Sequence, residues 1–122
     1  MEENYVFDTY AILEILSDNK SYTRYLESGI VINDFIFAET AFKLLQEMPR
    51  QKAIDALNDL AASSIRPTHA MIIEAMELRG RWKSRNVSMT DCISYAMARH
   101  MGIKFLTGDK QFEGEEGVEF IR

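Results

Sequence analysis

Four acidic residues stand where carboxylates could do chemistry. Asp8 follows the apolar run Tyr5-Val6-Phe7, and Glu39 lies on a helical stretch after Ile30-Val31-Ile32. Asp91 comes three residues after Ser88, and Asp109 follows Ile103-Lys104-Phe105-Leu106. Carboxylates gathered at one place repel, and each raises the others' affinity for a proton. A hard divalent cation relieves that repulsion, and carboxylates with water suit Mg²⁺ or Mn²⁺. Zinc has no matching Cys or His set, because the chain holds one cysteine and two histidines. Each acid also has a purely structural use. Asp8 could cap a helix and Glu39 could complement a helix dipole. Asp91 with Ser88 fits a capping-box-like pattern, and Asp109 in Thr107-Gly108-Asp109-Lys110 could be an ordinary turn residue. The chemical reading therefore depends on whether the fold brings the four together.

Tyr5-Val6-Phe7 is β-prone, and Asp8-Thr9 then opens a helix over Ala11 to Leu16, a strand–turn–helix unit. A second amphipathic helical piece runs from Ser21 to Glu27 and ends at Gly29, before the strand Ile30 to Ile32. From Ile36 to Met48, Phe37, Ala41, Leu44, Leu45 and Met48 form a helical stripe that Pro49 closes. On this reading Glu39 falls in the first turn of that helix. Further helices are expected over Gln51 to Ala62, Thr68 to Lys83 and Ser88 to Met101, the last ended by Gly102. Ser64-Ile65-Arg66 reads as a short strand, as do Ile103 to Leu106 and Val118 to Ile121. Strands alternating with helices predict an α/β domain with a largely parallel sheet covered on both faces. In such a sheet the strand ends and the following helix starts share one edge. Asp8, Glu39, Asp91 and Asp109 should all lie there, where open α/β sheets place their ligands.

The length of 122 residues suits one domain spanning 1–122, and no linker or repeat divides it. No apolar run approaches the ~20 residues of a membrane span. Met1-Glu2-Glu3-Asn4 lacks the basic and apolar regions of a signal peptide, which leaves the cytoplasm as the expected location. The single Cys92, at an apolar-rich helical position, reads as a small core residue. A formal net charge of −5 speaks against phosphate binding, unless several acids are metal ligands. Arg79, Arg81, Lys83 and Arg85, interleaved with Trp82, could supply phosphate contacts and base stacking. Equally, they could be a solvated helix end whose cations suit the dipole. His69 and His100 receive no catalytic role. The methionines at helical spacing are most simply core, although Met48, Met71 and Met76 could line a partner groove.

Val6-Phe7-Asp8-Thr9, the Glu39 helix, Ser88-Met89-Thr90-Asp91 with Ala96 and Ala98, and the run Phe105 to Phe112 together resemble PIN domains. The likeness is closest to the small prokaryotic VapC type, found as toxins in toxin–antitoxin pairs. It covers nearly the whole chain, and Ser88 to Phe112 is its most specific stretch. The resemblance implies a three-layer α/β/α fold with four or five mostly parallel strands. It also implies Mg²⁺- or Mn²⁺-dependent cleavage of RNA, a homodimer, and an antitoxin protein as partner. The family's acids map onto Asp8, Glu39, Asp91 and Asp109, and its small hydroxyl positions onto Thr9 and Thr107. Gln111 departs from the family, since many relatives carry a further acid there; this leaves one-metal against two-metal operation open. Two other functions fit the same chain: an RNA-processing nuclease without an antitoxin, and a non-catalytic metal-binding interaction module. A receiver domain would want an acidic pair after the first strand, and Asp8 has no acidic neighbour.

Overall fold

The computed structural model describes residues 3–121, so Met1 and Glu2 of the acidic N-terminal stretch lie outside it. Four strands, β1 (Asn4–Phe7), β2 (Gly29–Val31), β3 (Lys104–Thr107) and β4 (Val118–Phe120), form one sheet in the order β2-β1-β3-β4. Every pairing is parallel. Val6 and Phe7 in β1, and Phe105 and Leu106 in β3, are all fully buried. Successive strand side chains point to opposite faces, so burial of consecutive residues means that both faces of the central strands are covered. Helices α1 (Thr9–Leu16) and α5 (Met89–Met101) pack on β1 and β3. Outside them, α4 (His69–Arg81) lies against α5, and α2 (Asp34–Glu47) lies between α1 and α3 (Arg50–Ala61). The fold is a three-layer α/β/α arrangement on four parallel strands.

The caps explain most element boundaries. Asp8 caps α1 and the Ser88 hydroxyl caps α5, which Gly102 ends in the left-handed region at φ 71°. Tyr22, Tyr25 and Cys92 are core residues, as their positions in apolar surroundings require. Among the described residues no helix is long and apolar enough to cross a membrane.

Three local expectations need correction. The segment Lys20–Tyr25 is a 3₁₀ helix. Its two buried tyrosines, Tyr22 and Tyr25, are three residues apart, which matches three residues per turn. Ser64-Ile65-Arg66 is not a strand and contributes only a bridge from Ser64 to Ile32, with Pro67 close behind. Helix α2 starts earlier than its apolar stripe suggests, because the Asn33 side chain accepts from the N–H groups of Phe35 and Ile36. Glu39 is consequently in its second turn. Met48, Met71 and Met76 are half-buried against the core clusters, as the simpler reading of their spacing expects.

Candidate active site

Parallel pairing puts the carboxyl ends of β1 and β3 at one edge, and the site is built there. Asp8 is the first residue past β1, and its N–H donates to the Leu106 carbonyl at 3.0 Å, stitching the two strands together. One carboxylate oxygen of Asp8 accepts from the Ala11 N–H at 2.7 Å and so caps α1. The other accepts from the Thr107 hydroxyl. That same hydroxyl accepts from the Asp109 N–H at 3.0 Å, so one buried threonine fixes both aspartates. Between them, a Cβ on Gly108 would lie 2.8 Å from the Ile121 carbonyl and 3.3 Å from the Tyr10 ring. The close approach excludes any side chain there. Asp109 then accepts from the Gln111 N–H at 3.0 Å and opens a short 3₁₀ turn over Lys110–Phe112.

The other two acids come from helices. Asp91 sits in the first turn of α5, its N–H bonded to the Ser88 hydroxyl at 3.0 Å. Glu39 is exposed on α2 and accepts from the Thr9 hydroxyl at 2.6 Å. All four acids, with Thr9 and Ser88, line one cavity of about 350 Å³. The capping uses are real for Asp8 and Asp109 as well, but they account for only part of each carboxylate.

The electrostatics bear the mark of this crowding. Burial pushes the Asp8 carboxyl up from 3.8 to about 6, against the pull of its Thr107 and Ala11 hydrogen bonds, and the Asp109 charge adds to the rise. Asp91 is pushed from 3.8 to about 7, first by burial and then by the charges of Asp8, Asp109 and Glu39. Each of the other three acids thus raises Asp91.

As a donor set the cavity is all oxygen, from carboxylates and hydroxyls, which fits a hard divalent cation and not zinc. Among the described residues no three acids are already drawn into one coordination sphere. The cavity is lined with ligands but not closed around a point, and the long, exposed Glu39 side chain has the most freedom to close it.

Two groups behind the acids were not legible as site residues in the sequence. The Asn33 amide donates to the Ser94 hydroxyl at 3.1 Å, and Ser94 donates to the Thr90 carbonyl at 2.7 Å. Both side chains are fully buried. This strut joins the cap of the Glu39 helix to the helix of Asp91. A polar residue two positions past β2 facing a serine one turn beyond Asp91 is visible only once the start of α2 is known to meet α5.

The basic patch divides. Arg79, Arg81 and Lys83 are exposed. Arg85 instead pairs with Glu115 at 2.8 Å and stacks over Trp82 at 4.4 Å. Trp82 packs against Phe112 and Tyr95, with ring centroids 5.7 and 5.8 Å away. Half-buried, Trp82 thus serves packing at this end of α4. Glu115, held by Arg85, is likewise engaged away from the four acids. A second, larger cavity of about 570 Å³ includes Tyr5, Tyr25, Arg24 and Glu119. There the Tyr25 hydroxyl donates to Glu119 at 2.6 Å and Arg24 pairs with Glu119 at 3.4 Å, so its polar groups satisfy one another.

Comparison with known proteins agrees with this fold. The family model for the PIN domain matches residues 5–114. A toxin–antitoxin complex from Klebsiella pneumoniae has a chain with TM-score 0.75 and 21% identity, covering 94% of this chain and 95% of that one. The sarcin–ricin-loop-cleaving VapC toxin of Mycobacterium tuberculosis has TM-score 0.75 and 22% identity, covering 98% of this chain and 100% of its own. A DNA-bound VapBC complex from Salmonella typhimurium has TM-score 0.75 and 15% identity, with 99% and 98% covered. No curated protein matches by sequence.

Proposed function

The chain belongs to the PIN domain family, and from that premise we propose that it is a metal-dependent endoribonuclease acting as the toxin of a toxin–antitoxin pair. The observation that carries this is the single cavity lined by Asp8, Glu39, Asp91 and Asp109, in which three acids each push Asp91 upward. An arrangement that costly to hold ionised has a use when a Mg²⁺ or Mn²⁺ ion is there to bind. The RNA substrate and the antitoxin partner are supported by similar folds, one described as cleaving the sarcin–ricin loop and others solved as VapBC complexes. A homodimer in the cytoplasm is part of the same reading.

When bound, a divalent cation supplies a water acidic enough to attack near neutral pH and offsets charge on the departing oxygen. The chain's own residues do the rest. Asp8 is the rigid anchor, since both of its oxygens are already oriented by Ala11 and Thr107. Asp109 is the second ligand, on the loop that the same threonine holds. Asp91 completes the set from the α5 side. Glu39, long and exposed and steadied by Thr9, is placed to orient the attacking water. Gln111 contributes a backbone contact to Asp109 and no extra carboxylate, which favours fewer metal sites than in relatives with an acid there.

Growth is the test of the toxin reading. Induced expression in a bacterial host should arrest growth with loss of intact RNA, and Asp109→Asn should grow normally at equal protein level. Normal growth with the folded wild-type protein would remove the toxin assignment.

A further inference from the structure

Helix α2 buries Ile36, Thr40 and Leu44, and it turns Ala38, Phe42 and Lys43 outward. Phe42 is 63% exposed and is therefore no part of the core. With Thr9 and Glu39 these residues line a groove of about 390 Å³ whose surface is almost wholly apolar. Thr9 and Glu39 also line the acid cavity, so the two spaces adjoin on either side of the Thr9–Glu39 hydrogen bond. Lone exposed aromatics need no explanation. An aromatic face in a groove that adjoins the acid cavity, with a lysine beside it, is a more specific arrangement.

Resting on the nuclease reading above, we infer that this groove is a nucleobase subsite: the base next to the scissile phosphate stacks on Phe42, and Lys43 meets the adjoining phosphate. The argument is one of chemistry and reach. Any phosphodiester held at the acids carries a flat, apolar-faced base within a few bonds, and the groove is the apolar space that adjoins the acids. Stacking on an aromatic tolerates every base, because each has a π-face. Lys43 is the groove's one cation, in a neighbourhood that would otherwise repel phosphate. The groove spans fewer than two turns of α2, from Ala38 to Lys43, which suits one ring better than a docked helix.

The test uses the whole chain with Mg²⁺. Phe42→Trp places a reporter in the groove. Its emission should be quenched by adenosine 5′-monophosphate and not by ribose 5-phosphate, which lacks the base. In cleavage assays, Phe42→Ala should raise KM about tenfold at similar kcat, the scale of one lost stacking contact. Phe42→Tyr should stay near wild type. An RNA abasic beside the cleaved bond should show the same KM rise with wild type and no further rise with Phe42→Ala. If wild type cleaves RNA while Phe42→Ala and the abasic substrate leave KM unchanged, the subsite is wrong and the nuclease reading stands. If Phe42→Ala keeps KM but dissociates a dimer, a second copy covers the groove, and the subsite is equally refuted. Absence of any cleavage by folded wild type removes the nuclease reading and the subsite with it.

Discussion

Replacing Asp91 by Asn in the metal-free protein isolates the repulsion among the four acids. Asp91 titrates at about 7 in the fold against 3.8 as a free side chain, with burial as the first cause and Asp8, Asp109 and Glu39 as the next. A carboxyl raised in this way favours folding while it is protonated. Its contribution is full below pH 3.8 and is lost as the pH rises through about 7. Above that pH the ionised group carries a penalty on the order of 4 kcal/mol if the whole displacement counts. The cavity is open to water, and a charge in the first turn of α5 is favoured by the helix dipole by up to ~1 kcal/mol. A net gain of ~2 kcal/mol for Asp91→Asn at pH 8 is then expected, or about 8 °C in Tm for a domain of this size. Thermal unfolding in EDTA at pH 8 and pH 4 is the assay. The variant should melt higher at pH 8, and the gap should close toward pH 4, where the folded wild type is already protonated. A variant no more stable than wild type at pH 8, or a gap equal at both pH values, would refute the electrostatic reasoning.

Four further outcomes follow from particular contacts. Adding Mn²⁺ at about a hundred times its Kd should stabilise wild type by ~2.7 kcal/mol, and Asp91→Asn should lose most of that rise in Tm. Thr107→Val removes the donor to Asp8 and the acceptor for the Asp109 N–H, so it should cost ~1–3 kcal/mol in a denaturant melt. Because Thr107 holds the Asp8 carboxyl down, the same variant should also move the acid limb of the pH–rate profile to higher pH. Asn33→Ala and Ser94→Ala should each cost ~1–2 kcal/mol, with the double variant well short of additive, since each breaks the same buried bond. Arg81→Ala and Lys83→Ala should each weaken RNA binding and lower its salt dependence by about one ion, whereas Arg85→Ala should lower Tm, because Arg85 serves Glu115 and Trp82.

Much of this architecture could be read from local signals. Hydrophobic runs marked the strands, and Ser88 and Gly102 marked both ends of α5 by mechanisms that need no tertiary information. The convergence of the acids followed from topology alone, because parallel strands send Asp8 and Asp109 to the same edge. What was not legible depends on contacts between distant segments. The start of α2 was hidden because its first turn is fixed by the Asn33 side chain and not by its apolar stripe. Trp82 and Arg85 read as an RNA patch by composition, yet Phe112, Tyr95 and Glu115 claim them from other elements. The Asn33–Ser94 strut spans 61 positions, and neither residue type announces a partner.

Cleavage of a mixed RNA panel in EDTA, Mg²⁺ or Mn²⁺, with wild type beside Asp8→Asn, tests the proposed chemistry most directly. The asparagine oxygen can still cap α1 and its amide N–H can donate to the Thr107 hydroxyl, so the variant should fold while losing the anchoring charge. Wild type should cut RNA with either metal and not in EDTA, and Asp8→Asn should cut with neither. Equal metal-dependent turnover by the folded Asp8→Asn protein, or no cutting by wild type under any condition, would contradict the assignment of these four acids as a nuclease centre.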